Sequence, residues 1–459
     1  MIPKSYLSPE NLFLIFATLI GLVLVGLIPP LGGGNETLNF QRVVTIGAGH
    51  VLIEPSTVPG GIVEFLRVGN GQFKEGSLPP FGYSARQFQA LAEIPLDAAH
   101  PGLLQPNPIA VLHPLCYVPQ LLVYGLGATL GLSPLWIFLF GRFAGFVTGV
   151  GLTFLAIRRI PFHKYTLAAL ALLPTITFSR STLDADQLTN GLAFFFVATV
   201  LREMVEPGPI RRRVLVELVV TAFILAQCKS AYLVLPFLAL ALPMSRFASM
   251  ARKIEACALM ILPGFIAAFA WMIILKATFF SGLRYQTWGG NVYPDMQSSG
   301  IIHDPIGYLS VLLRTVFATS LIPDSFISLI GIFGPPVFMP AAYYALLPLA
   351  FIAVVVSEER RRPASITPAV RFLALGIFLA GVGLVLTLLY IQWTGLGGPV
   401  ILGFQGRYLY PLIPVLFVLL PTTGRAVLGR GAPAWLMGLG AISMVGTLWV
   451  TWSTYLATA

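Results

Sequence analysis

The sequence predicts an all-α integral membrane protein, and three observations carry that prediction. Hydrophobic residues make up 56% of the 459 residues and charged ones only 10%, which leaves a soluble fold too few polar side chains to cover its surface. Mean hydropathy is +0.84, and the apolar residues come in runs approaching the 20 or so that an α-helix needs to cross a bilayer. The 28 Lys and Arg residues collect in short clusters between those runs, as expected of loops held on the cytoplasmic side. Because the formal charge of +10 resides in such clusters, topology accounts for it and nucleic acid is not expected as a partner. Cys116, Cys228 and Cys257 are far apart, and the five histidines lack short ligand spacings, so neither a disulfide framework nor a structural zinc site is expected.

Taken in order, membrane spans are expected at 11–30, 133–157, 165–180, 187–205, 214–228, 230–244, 254–278, 340–357, 371–391, 408–422 and 434–453. That is about eleven helices in one integral domain, 1–459, since no repeat, linker or low-complexity stretch divides the chain. Lys4 precedes the first run, but no small-residue cleavage pattern follows it, so the run reads as an uncleaved helix. With the N-terminus cytoplasmic, "RRIPFHK", "EPGPIRRR", "SRFASMARK", "EERRRPASITPAVR" and "TTGRAVLGR" all fall inside, and the C-terminus falls outside. The outer side then receives a large first loop, 31–132, and a second large segment, 279–339. Within these, 108–132 and 305–320 are too apolar for free solution and are expected to lie along the membrane interface as juxtamembrane helices.

Polar residues at membrane depth or at its outer edge need a reason. Arg407 stands in "GFQGRYLYP", where a span begins after a glycine-rich loop. Its guanidinium fork suits phosphate oxygens, with Gln405, Tyr408 and Tyr410 alongside; the alternative is an interfacial aromatic belt with a headgroup-contacting Arg. Lys229 and Lys276 sit near outer helix ends, where each either snorkels or binds an anion. Arg142 lies inside a span, where it either pairs structurally with an acidic neighbour or is kept for a function. In "FSRSTLDADQLTN", Asp184 and Asp186 can converge on a sugar hydroxyl or a cation, or Asp184 can cap the helix that follows, with Arg180 close by. Glu36, in "GGGNETLNFQ", follows the membrane exit so closely that its carboxylate could meet the headgroup region, where it is a candidate general base. The aromatic loop "RYQTWGGNVYP" offers Tyr285, Trp288 and Tyr293 for stacking on sugar rings, or an ordinary interfacial belt, with Arg284 as a further cation.

Several of these segments, in this order, resemble a large family of bacterial polytopic membrane proteins of unknown function that is grouped with predicted GT-C superfamily glycosyltransferases. "RRIPFHKYTLAALALLPTITFSRSTLDADQLTN" is similar to that family's Pro-bounded span followed by Ser and Asp. "CKSAY" is similar to its Lys-x-x-Tyr and includes Lys229 and Tyr232, "GFQGRYLYPLIPV" to its most recognisable stretch, and "IFGPPVFMP" to a further segment. Where the family's first loop opens with an Asp-Glu pair, two residues, then His and an aromatic, this chain has Asn35, Glu36, Asn39 and Phe40.

The resemblance implies a GT-C-like helical bundle in the bacterial cytoplasmic membrane and transfer of a sugar from a polyprenyl-phosphate carrier. The acceptor would be a glycan or lipid on the outer face, reached with inversion at the anomeric carbon. Glu36, Asp184 and Asp186 would then supply the catalytic carboxylate. Arg407, Tyr408, Gln405, Lys229, Tyr232, Arg284, Arg180 and Trp288 would bind substrate. No metal site is expected, although paired carboxylates could gather a divalent cation. A second reading, from a different class, is a non-catalytic transporter of lipid-linked glycan or a degenerate partner of an active enzyme.

Overall fold

The computed structural model describes residues 8–72, 81–275, 285–287, 289–317, 319–334, 337–358, 366–420 and 431–457. These are mostly helical, and six helices are long and apolar enough to cross a membrane: Pro9–Leu27, Pro134–Arg159, Asp186–Val205, Met250–Leu275, Pro368–Gln392 and Ala432–Tyr455. A seventh span results if Pro305–Phe317 and Leu321–Gly331, bent by 62°, are taken together. The other five expected spans take shorter or broken forms. The chain forms two compact units, residues 1–202 with 330–363 and 421–459, and residues 203–329 with 364–420.

In the first unit, the Ser8 hydroxyl caps the opening helix at Asn11 N–H and Pro9 occupies its first turn, where a missing N–H costs nothing. Its inner face, Ile20, Leu24 and Ile28, packs with Phe178, Leu347, Val450 and Tyr455, while Leu19, Leu22 and Val23 remain exposed, as lipid-facing side chains are. The span expected at 165–180 is two short helices, Lys164–Ala171 and Pro174–Arg180. Pro174 has no N–H to give the preceding turn, so the helix ends at Leu172 and a new one starts.

Between the first two long helices lie Glu36–Gly47, Gly60–Gln72 and Ala85–Ala92, with a two-stranded ribbon pairing Ser56–Pro59 with Pro101–Leu104. The interfacial helix expected at 108–132 is shorter: two 3-10 turns, each opened by a proline, and then Val118–Thr129. That helix and the residue after it expose Leu122, Leu126 and Leu130, an apolar stripe at four-residue spacing that suits an interface.

In the second unit, Arg212–Cys228 leads into an unusual element, a 3-10 helix of 12 residues, Ser230–Ala241. Its burial repeats every third residue: Tyr232, Leu235 and Leu238 are buried on one row, Pro236, Ala239 and Leu242 on the next, and Leu240 faces out. A 3-10 helix rises about 2.0 Å per residue, so 12 residues reach about 24 Å where an α-helix would reach about 18 Å. The expected span at 408–422 is likewise two 3-10 turns, Gly406–Leu409 and Ile413–Leu419, with Leu412, Val415 and Val418 on one buried row. Helix Pro368–Gln392 packs against both 3-10 segments. The interfacial helix expected at 305–320 is the helix Pro305–Phe317, which forms the first limb of the bent pair.

Candidate functional site

Each unit holds a polar cluster. In the first, Gly33 permits a close turn, since a Cβ there would sit 2.7 Å from Glu36 Cγ and 2.7 Å from Thr182 Cγ2. Glu36, only 1% exposed, accepts from Gly33 N–H at 2.9 Å and Arg142 Nη2 at 2.7 Å on one oxygen. Its other oxygen accepts from Arg142 Nε at 2.9 Å and Leu183 N–H at 2.7 Å. Arg142, fully buried on helix Pro134–Arg159, also donates to the carbonyls of Val25, Ile28 and Pro29, so all five of its N–H bonds are used at the end of the first helix. Of the two alternatives for Arg142 the structural pairing is present, and its acidic partner is Glu36. All four lone-pair sites of that carboxylate are taken, so it serves as the counter-ion of Arg142.

The glycines of "GRFAGFVTGVG" explain how the Asp184 turn comes so near. Gly141, Gly145 and Gly149 lie four residues apart, and Cβ atoms there would meet Leu183 at 3.3 Å, Gln187 Oε1 at 1.8 Å and the Gln187 carbonyl at 2.9 Å. Gln187 ties the assembly together, donating to the carbonyls of Arg142 at 3.1 Å and Arg180 at 2.8 Å and accepting from Gln120 at 2.8 Å. Asp184 accepts from Asp186 N–H at 3.1 Å, so it caps the start of helix Asp186–Val205, as the capping alternative anticipated. Arg180 donates to the Ala171 carbonyl across the helix break and stacks over Phe13. Asp184 and Asp186 are buried and close enough to Tyr117 for their charges to raise its pKa, after burial, which raises it most. Tyr117 donates to Asn39 Oδ1 at 2.5 Å, and Asn39 in turn donates to the Asn35 carbonyl at 2.8 Å.

The second unit brings Lys229, Tyr232, Arg407 and Tyr408 together. Lys229 Nζ lies 5.6 Å and Arg407 Cζ 5.5 Å from the centroid of the same Tyr408 ring, and Tyr232 donates to the Tyr408 carbonyl at 3.1 Å. Gln405 contributes its carbonyl, which accepts from Tyr408 N–H at 3.0 Å. Gly406 anchors this turn: its N–H donates to Ser328 Oγ at 2.6 Å, and a Cβ would fall 2.0 Å from the Ser325 carbonyl oxygen. The aromatic loop forms a hairpin, Tyr285–Thr287 with Gly290–Val292, whose Tyr285 hydroxyl bonds the Gln392 carbonyl. Arg284, Trp288 and Lys276 lie outside the described residues.

Reading the sequence alone overlooks Arg42, Tyr117, Gln120 and Gln187, all buried. Only the four-residue glycine spacing hinted that something polar packs so closely. Among the described residues no three His, Cys, Asp or Glu side chains gather as they would around a metal ion.

Compared with known families, residues 18–416 match the one described as predicted membrane protein (DUF2142), and that match takes in both clusters. No curated protein and no solved structure matches the chain.

Proposed function

Starting from the DUF2142 family of predicted membrane proteins, to which this chain belongs, we propose that it is a GT-C-type glycosyltransferase. In this reading it moves a sugar from a polyprenyl-phosphate carrier to a glycan or lipid acceptor on the outer face of the bacterial cytoplasmic membrane. One observation carries the reading: two cations, Lys229 and Arg407, sit over a single tyrosine ring. A guanidinium fork and an ammonium gathered at one turn match the oxygens of a phosphate group, and a lipid phosphate is the anion that cations in a membrane protein meet.

As the bond from the anomeric carbon to the phosphate oxygen breaks, negative charge grows on the phosphate. Arg407 meets it with a two-pronged donor and Lys229 with a point charge. The acceptor oxygen attacks the anomeric carbon from the opposite face, its proton passes to a carboxylate, and polyprenyl phosphate departs, which inverts the centre. With the Glu36 lone pairs engaged, Asp184 and Asp186 are the remaining carboxylates that the sequence offers for the role of base, and that role is tested apart from the role of the cations. No divalent cation is required for this sequence.

The test is binding of polyprenyl phosphate to purified protein. A charge-assisted hydrogen bond contributes about 1.5–3 kcal/mol, so Arg407→Ala should weaken binding roughly 10- to 100-fold and Arg407→Lys should recover only part of it. Unchanged binding in Arg407→Ala would make Arg407 an interfacial anchor and remove the reading's support. A non-catalytic transporter or degenerate partner is favoured by one feature, the complete engagement of Glu36 by Arg142 together with the N–H groups of Gly33 and Leu183. Sugar release from the carrier by wild-type protein, abolished in Asp186→Asn, would decide for the enzyme.

A further inference from the structure

Arg407 stands in a turn too short to hold its own shape. Gly406–Leu409 is four residues of 3-10 helix, closed by Tyr408 N–H on the Gln405 carbonyl at 3.0 Å and Tyr410 N–H on the Arg407 carbonyl at 3.3 Å. Closures of this kind have poor hydrogen-bond geometry and stabilise a short turn weakly. Both main-chain neighbours of Arg407 are nevertheless fixed from outside the turn. On one side Gly406 N–H donates to Ser328 Oγ at 2.6 Å, and on the other the Tyr232 hydroxyl donates to the Tyr408 carbonyl at 3.1 Å. A further tie comes from Tyr410, whose hydroxyl donates to the Leu329 carbonyl near the end of helix Leu321–Gly331. Tyr232, Ser328, Leu329 and the turn are far apart in sequence and all belong to the second unit.

Ser328 is made for this contact. It is 5% exposed, and its hydroxyl hydrogen goes to the Asp324 carbonyl at 2.7 Å, one turn back, which leaves a lone pair of the oxygen for Gly406 N–H. At Gly406 the two backbones touch: a Cβ there would lie 2.0 Å from the Ser325 carbonyl oxygen and 2.5 Å from the Leu329 nitrogen, so the turn has no room to move towards the helix. The motions left to it are those that the bonds from Ser328 and Tyr232 oppose.

We propose that Ser328 and Tyr232 are positioning residues for Arg407, bracketing its backbone so that the guanidinium is aimed at the carrier phosphate. The proposal rests on the reading of Arg407 and Lys229 as the cations that hold that phosphate. An arginine side chain is long, so a small rotation at its Cα becomes a large displacement at its tip, and a two-pronged grip needs its direction held to about 10–20°. Lys229 is a point charge with rotatable donors and tolerates more error. The bracket therefore acts through Arg407 and not through Lys229.

The experiment measures binding of polyprenyl phosphate and of polyprenol, the same chain without its phosphate, to the purified full-length protein in detergent. Ser328→Ala and Tyr232→Phe should each weaken polyprenyl phosphate binding about 10-fold, short of the loss in Arg407→Ala, because the donor is misaimed rather than removed. Binding of polyprenol should be unchanged in both, whereas a damaged fold would weaken both ligands. Ser328→Thr keeps the hydroxyl and should recover phosphate binding, and Tyr232→Phe carries the test if Ser328→Ala does not fold. In an Arg407→Ala background Ser328→Ala should have no further effect, while in a Lys229→Ala background it should have its full effect. The proposal is overturned if Ser328→Ala and Tyr232→Phe bind polyprenyl phosphate like wild type while Arg407→Ala does not, an outcome that leaves the carrier-phosphate reading standing. It is also overturned if both ligands weaken together in both variants, or if Ser328→Ala loses the same factor with and without Arg407. Wild-type binding of polyprenyl phosphate by Arg407→Ala would instead remove the carrier-phosphate reading, and this proposal with it.

Discussion

All four hydrogen-bonding positions of the Glu36 carboxylate are filled by donors of the chain itself, two from Arg142 and one each from the main-chain N–H groups of Gly33 and Leu183. Its proximity to the membrane exit suggests a base when the sequence is read alone. The same proximity lets Arg142 bond it and three main-chain carbonyls at once. Breaking a buried pair by removing one partner costs about 3–5 kcal/mol, because the remaining charge is stranded. Glu36→Gln retains an acceptor, so its loss should lie near the lower end. It should reduce the unfolding temperature in detergent, and Glu36→Gln with Arg142→Met should cost less than the sum of the two singles. A variant of full stability that had lost only turnover would restore Glu36 as the base.

His113 adds a pH dependence at the same scale. Its pKa in the folded chain lies below the ordinary value of 6.5, so the unfolded chain binds more protons as pH falls through that value. The stability it contributes is therefore fully present above about 6.5 and is lost progressively at lower pH. His113→Gln should flatten that part of the profile of unfolding temperature against pH.

At the scale of elements, helix Pro134–Arg159 offers an internal comparison. Gly145 faces Gln187, where a Cβ would meet Oε1 at 1.8 Å, whereas Gly151 on the same helix has nothing within 4 Å. Overpacking costs about 1–3 kcal/mol, so Gly145→Ala should lower folded yield and unfolding temperature while Gly151→Ala leaves both unchanged. Equal effects would mean the stripe acts through helix propensity alone.

The six long apolar helices were legible in the sequence because each is an uninterrupted run of sufficient length. The segments 230–244 and 408–422 were legible as apolar but not as 3-10 helices. A three-residue burial rhythm is visible only once neighbours are known, and Pro236 sits inside it without ending it. The break at Pro174 could be inferred from the proline, yet what it serves, the approach of Arg180 and Leu183 to the glycine stripe, depends on contacts far apart in sequence. Lys229, Tyr232, Arg407 and Tyr408 were each singled out by local pattern, and the approach of Lys229 to the Tyr408 ring and of Tyr232 to the Tyr408 carbonyl is a tertiary fact.

At the scale of the molecule the question is which ends of these elements face which side. Basic residues favour the cytoplasm because the membrane resists their translocation, and the clusters after 157, 205, 244, 357 and 422 all fall on one side when the chain crosses about eleven times. Six or seven long helices give a different count unless shorter elements also cross. Ser230–Ala241 reaches about 24 Å as a 3-10 helix, close to the hydrocarbon thickness of about 30 Å, and the broken pair Lys164–Ala171 and Pro174–Arg180 is buried within its unit rather than exposed to lipid. Both are among the five shorter or broken elements that must cross if the expected topology of about eleven spans holds. Single cysteines placed at exposed Ala98, Arg212, Met250 and Ala457, and treated with a membrane-impermeant thiol reagent on intact cells, read the outcome directly. The native Cys116, Cys228 and Cys257 are buried and should add little background. The expected pattern is labelling at Ala98 and Ala457 and protection at Arg212 and Met250. Protection at Ala457 would mean an even number of crossings and remove at least one short element from the membrane. Labelling at Arg212 would reverse the orientation and place the proposed carrier-phosphate cations on the cytoplasmic side.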